Sequence, residues 1–209
     1  MAIPQFPKDV SPALKEHIKA SERLMLKAYF DPAGVPTIGW GHIRTVTAAD
    51  ARRGRTITEA EARALFEADL DEAEMAVRAH TRVNLNQNQY DALTDFVFNL
   101  GSGAYQRSTL LKKLNAGDYA AVPAEFMRWN KAKDPRTGKL RVLNGLTTRR
   151  SYEATLFAKP AQHPNPPINY GGWHSEATVS PVPAPENTSL WGLIVMFFLK
   201  LIGGSRAAA

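Results

Sequence analysis

The chain contains no cysteine, which excludes disulfide staples and thiol-based switching and leaves packing alone to hold the fold. Nowhere do histidine, aspartate and glutamate recur at the spacing of metal ligands, so neither a metal nor another cofactor is expected. The first nine residues, Met1 to Asp9, hold two prolines and an acid but no long apolar run, so they do not read as a signal peptide or an N-terminal anchor. No base-reading motif or basic recognition helix accompanies the formal charge of +6, and nucleic acid is therefore not an expected partner. Such a charge suits other polyanionic surfaces, among them an anionic cell wall or membrane. At 209 residues and 44% hydrophobic content the chain is long enough to bury a full core.

The apolar spacing predicts a mostly helical main domain. Ser11-Pro12 reads as a helix N-cap and first helical position, with Leu14, Ile18, Leu24 and Met25 near helical period. The period breaks at Lys27 and Ala28. Asp31-Pro32-Ala33-Gly34 is a turn, because Asp bonds the backbone ahead of it, Pro fixes φ and Gly accepts a left-handed conformation. A hairpin follows, and Thr56-Ile57-Thr58 is expected to add a short strand. Thr58-x-x-Glu61 is a capping box opening a helix to about His80, with Ala62, Leu65, Phe66, Leu70 and Val77 on one face. Asn86 caps a further helix that stops at Gly101, with Tyr90, Leu93, Val97 and Leu100 toward the core. Ser108 to Gly117 reads as a short capped helix, and Asp118 or Val122 opens the next, where Phe126 and Trp129 are expected in the core. Residues 130–144 read as a charged loop, followed by a last helix carrying Arg149, Arg150 and Glu153, expected to form a structural ion-pair cluster, since charges four apart on a helix are common partners.

The chemistry concentrates between Glu22 and His42. Glu22 falls near a helix end, Asp31 on the turn and Thr37 on the returning strand, so three polar side chains can converge on one cleft. Two carboxyl groups suit hydrolysis of a glycosidic bond, which needs an acid for the leaving oxygen and a carboxylate to activate water or stabilise the cationic transition state. A hydroxyl such as that of Thr37 can hold the water. As isolated residues, Glu22 and Asp31 would read as a helix-end charge and a turn residue; the whole pattern changes that reading.

The whole pattern, Ala28-Tyr-x-Asp-Pro-x-Gly-x-x-Thr-Ile-Gly-x-Gly-His42 preceded by Glu22, closely resembles the phage-type lysozymes of glycoside hydrolase family 24, the endolysins of bacterial viruses. The match runs from about Ser11 to Pro160. It departs at Ser21-Glu22-Arg23, where many relatives have Glu followed by Gly, and at Trp40, where Tyr is common; neither change removes a reacting group. The resemblance implies an α+β, mostly helical, two-lobed lysozyme fold with a small β-hairpin lobe. It implies a muramidase that cleaves the β-1,4 bond between N-acetylmuramic acid and N-acetylglucosamine in peptidoglycan and so lyses the host. Glu22 would be the general acid, Asp31 the catalytic carboxylate and Thr37 the partner that positions water, with inversion at the anomeric carbon expected and a retaining double displacement the alternative. A virion-associated role, or an inactive wall-binding protein, is the alternative. Further motifs imply that Phe98 and Asn99 approach the cleft, with Phe98 equally readable as core. Ser108 would contact the sugar chain or act as a plain N-cap, and Asn144 would touch glycan from the charged loop. His42 reads as a structural partner of Asp69 or Asp95. The enzyme would be a monomer that accumulates in host cytoplasm and acts on the periplasmic wall.

Residues 1–160 thus form the catalytic domain. Seven of the 14 prolines lie between Pro160 and Pro185, so residues 161–187 read as an extended linker. In the segment 188–209, the run Leu190 to Ile202 is apolar all round except at Lys200 and has to be buried. It is shorter than the roughly 20 residues of a spanning helix. Shallow membrane insertion, docking on the catalytic domain and self-association each satisfy it.

Overall fold

A computed structural model describes residues 3–31, 34–134 and 137–160. The expected linker and apolar C-terminal segment lie outside the described residues. Twelve elements follow one another: α1 (Pro12–Ser21), β1 (Met25–Phe30), β2 (Pro36–Gly39), α2 (Ala48–Arg53), α3 (Glu59–His80), α4 (Gln87–Leu100), α5 (Ser102–Arg107), α6 (Thr109–Asn115), α7 (Val122–Phe126), β3 (Lys131–Lys133), β4 (Leu140–Val142) and α8 (Asn144–Ala158). Short 3₁₀ turns flank α7.

Local chemistry explains most boundaries. The Ser11 hydroxyl accepts from the Leu14 amide and opens α1. Thr58 and Glu61 exchange hydrogen bonds with each other's backbone at the start of α3, and Asn86 and Gln89 do the same at α4. Such caps satisfy amides that the helix itself leaves unpaired. Thr47 and Asp50 form a third box at α2, a short helix the sequence reading passed over although its Thr-x-x-Asp signal is present.

The small lobe contains the antiparallel β1–β2 hairpin, closed by a turn in which Gly34 takes φ of 80°. The expected strand at Thr56-Ile57-Thr58 is reduced to one bridge, Lys27 to Thr56. At 22 residues, α3 runs about 33 Å from this lobe to the helical one. There α4 is enclosed: every residue from Tyr90 to Leu100 is buried. The core stripe of Tyr90, Leu93, Val97 and Leu100 is therefore correct but incomplete. Neighbouring helices also cover the opposite face, so Asp91, Thr94, Asp95 and Asn99 lie inside the protein and need internal partners. Asp91 accepts from the Ser11 amide and hydroxyl and from Gln87. Phe126 is fully buried and Trp129 packs edge-on against Phe96, 5.5 Å between centroids.

Residues 130–144 correct the reading as an irregular loop. Lys131–Lys133 and Leu140–Val142 pair as an antiparallel hairpin, with Gly138 at φ 67° near its tip. Alternation over three residues per strand is too short to be recognised in sequence, whereas the cross-strand bonds define it.

Candidate active site

Glu22 follows α1 directly as its C-cap, its amide donating to the Ile18 carbonyl at 2.8 Å. This end of α1 is held in the core by Leu14 and Ile18, and Glu22 itself is only 4% exposed. Its carboxylate accepts a hydrogen bond of 2.7 Å from Nη1 of Arg149 on α8, 127 residues away.

Asp31 sits where β1 enters the turn. One carboxylate oxygen accepts from the Val35 amide at 2.8 Å, its own amide donates to the Val35 carbonyl, and the Gly34 amide donates to its carbonyl. The turn fixes the side chain while leaving it partly exposed. Thr37 lies on β2, 3% exposed, and its hydroxyl donates to the Val35 carbonyl at 3.0 Å. With that proton committed, the lone pairs of Thr37 Oγ1 remain to accept from another donor.

Tyr29, absent from the sequence-derived set, lies beside Thr37. It is the cross-strand partner of Thr37, so the two side chains share one face of the hairpin. Burial, then the charges of Asp31 and Glu22, push the Tyr29 phenol up to about 12. Only the β1–β2 register brings Tyr29 into this position.

The arginine on Glu22 belongs to a larger buried cluster. Arg149 donates through Nη2 and Nε to the two oxygens of Asp95, at 2.7 and 3.3 Å. Arg150 bonds Glu153 and, at 3.0 Å, Oδ1 of Asn99. The structural ion-pair cluster expected of α8 is present and lies inside the protein: α8 packs against the enclosed α4, and Arg150 and Glu153 are fully buried. Burial pushes Asp95 up, but the charge and hydrogen bonds of Arg149 outweigh it and hold the carboxyl below its usual range. Glu153 is raised by the same burial, which Arg150 only partly offsets.

Of the four residues expected to meet glycan, Asn144 at the start of α8 is exposed. Phe98 is 6% exposed and packs on Phe66, 5.8 Å between centroids. Asn99 is fully buried under Arg150. The Ser108 hydroxyl is 1% exposed, donates to the Tyr105 carbonyl and accepts from the Leu111 amide, as an N-cap does. His42 is paired with Asp69, not Asp95: Nδ1 lies 2.9 and 3.0 Å from the two carboxylate oxygens. Its Nε2 accepts from the Thr45 amide, which assigns the proton to Nδ1. The pair ties the end of the hairpin to α3. Among the described residues, no group of three or more histidines and acids could hold a metal ion.

This arrangement coincides with the phage lysozyme family model, which matches residues 19–153. The chain belongs to the phage lysozyme family. It is 44% identical over 140 residues to an endolysin of Acyrthosiphon pisum secondary endosymbiont phage 1, covering 67% of this chain and 91% of that one. It is 42% identical over 141 residues to the endolysin of Salmonella phage P22, with the same coverage. Among solved structures, the muramidase domain of SpmX from Asticaccaulis excentricus superposes with a TM-score of 0.65 at 33% identity, over 74% of this chain and 100% of that one. Glu22, Asp31, Thr37, Tyr29 and Arg149 all fall inside the span the family model matches.

Proposed function

We propose that the protein is an endolysin that hydrolyses the glycan strands of bacterial peptidoglycan at the β-1,4 bond between N-acetylmuramic acid and N-acetylglucosamine. The observation that supports this reading is that Thr37 faces Tyr29 across the hairpin whose turn fixes Asp31, while Glu22, capping α1, is held by Arg149. Glu22 gives its proton to the glycosidic oxygen as the bond to the anomeric carbon breaks. Arg149 stabilises the carboxylate left behind. A water donates one hydrogen to Asp31 and the other to Thr37 Oγ1, which aims its lone pair at the anomeric carbon. Asp31 takes the proton as the new bond forms, and the configuration inverts. Inversion requires the two carboxyl groups to stand about 6.5 to 9.5 Å apart, against about 5 to 5.5 Å for retention.

Clearing of purified cell wall tests the assignment. Glu22→Gln and Asp31→Asn should each abolish clearing, and equal clearing by wild type and Glu22→Gln would overturn it. NMR of the first product should show the inverted anomer with a free reducing end. A retained anomer would remove the water-base role of Asp31, and an anhydro-sugar would indicate a lytic transglycosylase. A monomer that accumulates in host cytoplasm before meeting the wall fits this reading, with the apolar run Leu190 to Ile202 inserting shallowly into membrane. Deleting residues 186–209 should leave hydrolysis of isolated wall nearly unchanged.

A further inference from the structure

The β3–β4 hairpin bears a face with no role in the chemistry above. Register pairs Lys131 with Val142 and Lys133 with Leu140, and directly opposed residues project from the same side. The outer face is therefore two lysines beside two aliphatics. Leu140 is 64% exposed and Val142 54%, and neither lysine is ion-paired among the described residues. The inner face differs in kind: Ala132 is buried with Leu146, and Arg141 is paired with Asp134 at 3.0 Å. Over residues 131–142 the sequence places Lys131, Lys133, Arg136, Lys139 and Arg141 against one acid, Asp134. This one hairpin thus accounts for most of the chain's net positive charge.

We propose that the outer face of this hairpin docks on an anionic phospholipid surface. Lysines flanking a small aliphatic protrusion match the headgroup boundary, where phosphate charge lies directly above an apolar phase. A neutral sugar chain offers neither. The carboxylates of wall peptides would satisfy the lysines but leave Leu140 and Val142 in water. The hairpin joins the N-terminal end of α8, the chain leaves from the other end, and its 15 residues span about 22 Å. Docking at the hairpin would hold the domain close to the membrane.

Because the chain has no cysteine, Val142→Cys in the full chain supplies a unique thiol for a polarity-sensitive fluorophore. Leu140→Cys, on the same face, gives an independent second position. Met75→Cys, at a 62% exposed site on α3, reports on a surface outside the proposed contact. On vesicles of phosphatidylglycerol and phosphatidylethanolamine, labels at 142 and 140 should shift to apolar emission and lose most of their quenching by an aqueous quencher. The label at 75 should not change, nor should any label on pure phosphatidylcholine. High salt should reverse the shift. Combining Lys131→Gln and Lys133→Gln should raise the vesicle concentration for half-maximal response about thirtyfold, at about 1 kcal/mol per cation near an anionic surface. The proposal fails if labels 140 and 142 stay aqueous while the chain co-sediments with anionic vesicles, since the tail alone would then bind. It fails equally if all three labels respond alike, or if 140 and 142 respond to soluble peptidoglycan fragments and not to vesicles.

Discussion

Arg149 offers the sharpest test of how the fold supports the site. Replacing it with Met keeps much of the side-chain volume but leaves Glu22 and Asp95, both within the core, without their shared cation. Breaking a buried ion pair by removing one partner costs about 3 to 5 kcal/mol, a large part of the roughly 5 to 15 kcal/mol that stabilises a typical domain. Urea unfolding at neutral pH should therefore show the midpoint falling steeply, with clearing of cell wall lost as well. Arg149→Lys should rescue only part of either, because one ammonium cannot reproduce the fork that binds Asp95 through two nitrogens and Glu22 through the third. The pH dependence follows from Asp95, whose carboxyl Arg149 holds below its usual range against burial. A depressed carboxyl contributes stability above its unfolded pKa of about 3.9, and that contribution is lost as pH falls through the folded value. Without Arg149, burial, the largest influence on Asp95, is opposed only by the lesser pull of His17 and Arg150, so acidification relieves the variant. The stability gap between wild type and Arg149→Met should thus narrow as pH drops from 7 toward 4. Adding Asp95→Asn to Arg149→Met should recover part of the loss by removing the stranded charge. If the single variant lies within about 1 kcal/mol of wild type, or the double variant recovers nothing, the cluster is not what holds Glu22 in place.

Three further substitutions separate structural from substrate roles. Ser108→Ala should cost about 0.5 to 2 kcal/mol in unfolding experiments, the usual range for a lost N-cap, while leaving KM on soluble glycan unchanged; a raised KM would reveal a sugar contact. His42→Ala leaves the Asp69 carboxylate without its ring partner, and a loss of about 1 to 3 kcal/mol is expected with turnover per folded molecule retained; abolished turnover at full stability would make His42 catalytic. Thr47→Ala should remove the capping box of α2 for about 1 kcal/mol, read as a small fall in Tm, and an unchanged Tm would mean that α2 adds no stability to the lobe.

The local elements and the reacting groups were legible in the chain because their causes are local. Ser11, Thr58-x-x-Glu61 and Asn86 mark helix starts through side chains within four residues of the amides they satisfy, and Gly101 marks a helix end through its positive φ and its own amide. Glu22, Asp31 and Thr37 stand in one continuous motif of recognisable spacing. Tertiary structure alone decided the remainder. Tyr29 enters the site because cross-strand register sets it beside Thr37, and register is a property of two strands. His42 meets Asp69 because α3 passes under the hairpin, whereas Asp95 is already engaged by Arg149. The charges on α8 resemble an exposed helix face in sequence, yet α4 covers them, and enclosure turns Asp95, Asn99, Arg149, Arg150 and Glu153 into a buried network. Periodicity shows which residues of a helix are apolar, but not whether another helix will bury its polar side as well. That depends on packing between segments more than fifty residues apart, and here the same packing supplies the arginine that holds Glu22.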